Sequence, residues 1–145
     1  MKLAINIVFS ILTILALIKL WNVVSEKVQF GDQFVIEGGN FDLDIQVIIT
    51  TDTAYALSYV RENLDSSAKS SDFDSRGTTF PSINGNPPII WLPTAQDVAI
   101  NNHELLHATI DVMNWASVPF SPDTEEVYAY ELQYLSTQLY NHIKP

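Results

Sequence analysis

An α+β domain, in which a small mixed β-sheet packs on two C-terminal helices behind an N-terminal transmembrane helix, is the architecture predicted for this chain of 145 residues. Three observations carry the prediction. Residues 3–18, LAINIVFSILTILALI, are uncharged and largely apolar. From Phe41 to Ile49 apolar and polar residues alternate, the period of a half-buried strand. Beyond Pro93 the apolar residues recur at spacings of three and four, as on one face of a helix.

Taken in order, the apolar run extends past Lys19 through Leu20-Trp21-Asn22-Val23-Val24. It is then long enough to span a bilayer, with Lys19 snorkelling and Trp21 at the interface. Residues 1–27 therefore read as a transmembrane signal anchor and residues 28–145 as the folded domain of a single-pass membrane protein. Cleavage near the weak site Val23-Val24-Ser25 would give a secreted protein instead, and a buried core helix is the third reading. Lys2 and the amino terminus favour a cytoplasmic N-terminus, against which Lys19 and Lys27 weigh.

Gln33–Glu37 is a short strand and Gly38-Gly39-Asn40 a turn. Phe41, Leu43, Ile45, Val47 and Ile49 then alternate with Asp42, Asp44 and Gln46 in a second strand. Thr51-Asp52-Thr53 caps a helix that runs to Leu64. The polar run Asp65–Ser75 is a loop, in which Asp72 and Asp74 either hold a cation or are simply solvated. Strands Thr78–Phe80 and Ile89–Leu92 follow, separated by residues 81–88. Thr94-Ala95-Gln96-Asp97 resembles a capping box that starts a helix just after Pro93, and Ile100–Met113 contains no proline or glycine. Tyr128, Leu132, Leu135, Leu139 and Ile143 mark a last helix over EEVYAYELQYLSTQLYNHI. There are no internal repeats.

Composition narrows the function. Cysteine is absent, which excludes disulfides and zinc–thiolate sites. The net charge is −10, and from Val28 onward sixteen acids stand against four bases. Such a surface repels phosphate backbones, so nucleic acid is not an expected partner. It attracts divalent cations without selecting among them.

Chemistry concentrates in residues 103–107, HELLH. On a helix, His103 and His107 share a face one turn apart, and Glu104 is turned about a third of the way round. Two neutral imidazoles can then grip one zinc ion while a carboxylate takes a proton from the water on the metal, as a metallopeptidase requires. Leu106, Ile110 and Met113 form an apolar stripe beside the histidines, which should hold both rings partly buried. The plainer reading is an ordinary helix with Glu104 solvated. A third ligand must come from elsewhere, and the first turn of the last helix offers Glu125 and Glu126. Apolar phase favours Glu125, while Asp123-x-x-Glu126 also reads as a helix cap. Asp111, one turn past His107, either orients a ligand's second nitrogen or is solvated.

HELLHATID resembles the H-E-L-x-H-A-x-x-D signature of the thermolysin-like gluzincins, whose third ligand is a glutamate at the spacing Glu126 has from His107, with eighteen residues between. Glu126-Val127-Tyr128-Ala129 is similar to the E-x-x-A element of minimal gluzincins, ImmA/IrrE-type domains among them, although Tyr130 stands where those families often have Asp or Asn. The resemblance covers residues 88–135. It implies a minimal zincin-like domain, with a small mixed sheet on an HExxH helix and a C-terminal glutamate helix. It further implies one zinc per chain on His103, His107 and Glu126, with Glu104 as the base that hydrolyses a peptide or protein substrate. Pro88–Pro93 stands where zincins carry the edge strand that pairs with substrate; a plain core strand with Trp91 packed inside is the other reading. Tyr128, Tyr130 and Tyr134 are oxyanion candidates by proximity. The rival functions are a zincin-fold binding or regulatory protein that cleaves nothing, and a phage-type or membrane structural component with an incidental motif. Oligomeric state is not legible.

Overall fold

The computed structural model describes residues 31–74 and 76–143, and the predicted membrane anchor lies outside the described residues. Strands β1 (Asp32–Ile36) and β2 (Ile45–Ile49) lead to helix α1 (Thr53–Asn63). Strands β3 (Thr78–Phe80) and β4 (Ile89–Leu92) precede helices α2 (Val98–Trp115) and α3 (Glu125–Ile143). Among the described residues no helix is long and apolar enough to cross a membrane.

The sheet has the order β1-β2-β4-β3. Its central pair, β2 and β4, is parallel, and each outer strand is antiparallel to its neighbour. Parallel neighbours need a crossover, which α1 and the segment after it supply. With cover on both faces, the central strands are apolar almost throughout. Ile45, Val47, Ile90 and Leu92 meet Leu105, Ala108 and Val112 of α2 and Leu135 and Leu139 of α3. On the other face, Ile48, Ile89 and Trp91 meet Ala56 and Val60 of α1.

That topology decides between the two readings of Pro88–Pro93 in favour of the core strand with Trp91 packed inside. β4 is an interior strand, and the edge strand beside α2 is β3. Trp91 is only 2% exposed, and its indole donates to the Thr50 carbonyl at 2.9 Å. The prolines flank the ladder without interrupting it, since the Pro88 carbonyl accepts from the Gln46 amide at 3.0 Å. Four consecutive apolar residues suit a strand buried on both faces better than an edge.

The alternation from Phe41 to Ile49 also spans more than a strand. Gly39–Phe41 form a 3-10 turn, and only Ile45–Ile49 are extended. Asp42 sits in the left-handed region at φ 49°, and the Asp44 carboxylate accepts from the Gly38 amide at 3.3 Å. Gly39 has φ 58°, and a Cβ there would lie 2.9 Å from the Tyr134 ring. Phe41 and Leu43 still pack on the core, so the alternation reported burial and not extension. β1 begins and ends one residue before its predicted span.

Helix α2 begins three residues later than the Thr94 capping box implied. Asp97 is the N-cap, its carboxylate accepting from the Ile100 amide at 3.1 Å, while Thr94 accepts only from the Gln96 amide at 3.2 Å. Asp97→Ala should therefore cost about 0.5–2 kcal/mol of stability, read as a lower urea midpoint. An unchanged midpoint would mean that this cap does not hold in solution.

Candidate functional site

The face of α2 that enters the core carries Leu105, Ala108 and Val112, flanked by Glu104, Thr109 and Met113. Of the expected stripe only Met113 is buried. Leu106 and Ile110 are 45% and 41% exposed, and His103 and His107 face outward beside them. A helix has one core-facing arc, and the sheet takes the arc centred about half a turn from His103. The histidines are thus presented to solvent rather than half-buried.

His103 and His107 approach with Nε2 to Nε2 at 3.2 Å, their rings nearly perpendicular with centroids 4.8 Å apart. At that separation one ring can donate its proton to the other, or both lone pairs can turn to one cation. Glu104 differs from them in being only 6% exposed. Its Oε2 accepts from the Thr79 hydroxyl of β3 at 2.8 Å, and the same hydroxyl lies 2.9 Å from the Glu104 carbonyl. The reading of Glu104 as a solvated surface acid is therefore overturned. Gly77, just before β3, permits this close approach. A Cβ there would sit 2.9 Å from the Ile100 side chain and 3.1 Å from Cγ of Glu104.

These groups line a cleft of about 450 Å³, with Gly77, Thr78, Thr79 and Pro81 along one side and Asp72 and Asp74 from the preceding loop. Asp72 and Asp74 are thus brought to the same cleft as the HELLH residues. Each also serves its own loop, Asp72 accepting from the Lys69 amide at 2.7 Å and Asp74 from the Arg76 amide at 3.1 Å. Asp111 lines the cleft too, and its carboxylate accepts from the Ser82 amide at 2.8 Å. That bond ties the segment between β3 and β4 to α2. Asp111 is thus neither simply solvated nor seen bonded to an imidazole.

Other expected participants lie apart. Glu126 is exposed in the first turn of α3 and is not on the cleft wall. Glu125 lines a neighbouring groove of about 600 Å³ with Leu106, Ile110, Asn114 and Tyr128. Among the described residues no three His, Asp or Glu side chains are gathered to hold one metal ion. Tyr128 is buried and donates to the Val118 carbonyl at 2.8 Å. Tyr130 and Tyr134 line a separate cavity, so none of the three tyrosines is on the cleft. The remaining histidine, His142, stacks on Phe34 with ring centroids 4.5 Å apart.

Thr79 and Gly77 went unnoticed in the sequence because their role is tertiary, set by β3 lying against α2. Thr79→Val keeps the shape and removes the donor, leaving a buried carboxylate oxygen unsatisfied. It should cost about 1–3 kcal/mol, while Thr79→Ser costs much less. Equal urea midpoints for wild type and Thr79→Val would show that the bond contributes nothing.

Comparison with family models, with curated proteins and with solved structures gives no match for this chain.

Proposed function

We propose that the chain is a zinc-dependent metallopeptidase of minimal gluzincin-like build, held at a membrane by its N-terminal segment, whose cleft hydrolyses peptide bonds. The observation that carries the reading is a convergent imidazole pair beside a buried carboxylate, all on a cleft bordered by an edge strand. Two Zn–N bonds of about 2.0–2.1 Å at a tetrahedral angle separate their nitrogens by about 3.3 Å, and the His103–His107 separation is 3.2 Å. The pair fits such an ion, with Glu126 the third donor that the motif spacing assigns. When bound, zinc supplies a Lewis acid that acidifies water and polarises a carbonyl.

The chain's own groups do the remainder. Thr79 occupies Oε2 of Glu104, which leaves Oε1 to take the proton of the attacking water and return it to the departing amine. Among the described strands β3 is an edge of the sheet and borders the cleft, where an extended peptide can add as a further strand. Strand addition fixes the direction of the substrate and reads little of its sequence. Carboxylates from Asp72, Asp74 and Asp111 favour basic over acidic substrates. The test is hydrolysis of an unstructured protein by the purified full-length chain, with and without a chelator. Cleavage that the chelator stops and added zinc restores supports the reading. A chain that holds zinc and cleaves nothing would be a binding or regulatory protein on the same fold.

A further inference from the structure

The most exposed cost in the fold lies away from the cleft. Glu131 of α3 is only 5% exposed, and its Oε1 is buried with no hydrogen-bond partner. The side chain lines a cavity of about 550 Å³ together with Phe41, Tyr130, Tyr134, Val127 and Gly39. An ionised carboxylate removed from water without a partner is strongly penalised. Burial accordingly pushes the Glu131 carboxyl above the usual carboxylate range. Either a proton neutralises the group, or a cation enters the cavity.

The walls select the kind of cation. Calcium takes 6–8 oxygen ligands, and a cavity with one carboxylate and three aromatic rings does not supply them. A guanidinium pairs best with both oxygens of a carboxylate, whereas Oε1 of Glu131 is closed off from the surface and cannot share in such a pair. Aromatic faces attract an organic ammonium through the ring quadrupole and also cover its alkyl groups. Tyr130 is 68% exposed, so its ring stands at the cavity wall with little else to pack against. The net charge of −10 draws cations toward the surface in general.

We propose that this cavity is a binding site for an alkylammonium cation, with the Glu131 carboxylate as counter-ion and Phe41, Tyr130 and Tyr134 as its aromatic walls. The site is independent of the hydrolytic reading. The cation can be a quaternary amine such as choline, free or on a lipid, or the ammonium of a lysine side chain.

Calorimetric titration of the full-length chain with choline, with Nα-acetyl-lysine methylamide and with 3,3-dimethylbutan-1-ol tests it. The alcohol has the shape of choline without its charge. Saturable binding of a cation, tighter than the alcohol by about tenfold or more, is expected. Both Glu131→Gln and Tyr130→Ala should remove that preference, with circular dichroism unchanged. The tighter of the two cations identifies the source, a quaternary amine or a lysine side chain. Equal binding of choline and its neutral analogue, no saturation by either cation, or binding that survives both substitutions would each overturn the site.

Discussion

Glu104→Gln should lower peptide hydrolysis by about 10²–10⁴-fold while leaving the fold and the metal content unchanged. The amide keeps the size of the carboxylate and can still meet the Thr79 hydroxyl, so the 2.8 Å contact across α2 and β3 survives in kind. What it lacks is a site that accepts the proton of water. Three measurements on the same preparation separate the possibilities: kcat/KM on an unstructured protein, zinc by elemental analysis, and the urea midpoint. A fall in rate with the other two unchanged identifies Glu104 as the base. A rate that survives the substitution would pass that role to another carboxylate on the cleft, of which Asp72, Asp74 and Asp111 are present. A fall in all three would mean that Glu104 chiefly holds α2 against β3.

How much of this was legible in the sequence varies from residue to residue for physical reasons. The α+β class with a small mixed sheet and the segments β3, β4, α1 and α3 follow from periodicity and caps, which are local. The Asp52 side chain does accept from the Ala54 and Tyr55 amides at 3.0 Å, as its position before the helix implied. Strand order is not local. Ile89–Leu92 reads as a strand from its composition, but whether it lies at an edge depends on β3, a separate segment upstream, pairing with it. The helix phase failed for a related reason. Both Leu105 and Leu106 are apolar neighbours of His107, and only the sheet decides that Leu105 is buried while Leu106 lines a groove. The pairing of His103 with His107 was legible because one helix sets it. Thr79, Gly77 and Ser82 were not, since each reaches α2 from across the fold.

Replacing a metal donor should have the largest effect on zinc affinity. His103→Ala or His107→Ala should weaken it by more than about 100-fold, since even outer-shell partners of metal ligands contribute 10–100-fold. Full retention of zinc in both variants would sink the proposed centre. The adjacent glutamates of α3 then separate by direction, because consecutive residues of a helix point about 100° apart. Two arguments oppose each other. Motif spacing selects Glu126, which is exposed; the groove against α2 is lined by Glu125, beside Ile110 and Asn114. Since Ile110 and Asn114 also line the cleft, a carboxylate in that groove is close to the histidine face without being on its wall. Both glutamates lie in the first turn of α3, where small rotations of the chain change which side chain points inward. The spacing argument carries the prediction: Glu126→Ala should sharply weaken zinc binding, and Glu125→Ala should cost only a helix-dipole interaction of about 0.3–1 kcal/mol. The opposite result moves the assignment by one residue and leaves the role of Glu104 intact. Small effects from both would mean that α3 supplies no donor and that its two acids serve only to cap the helix.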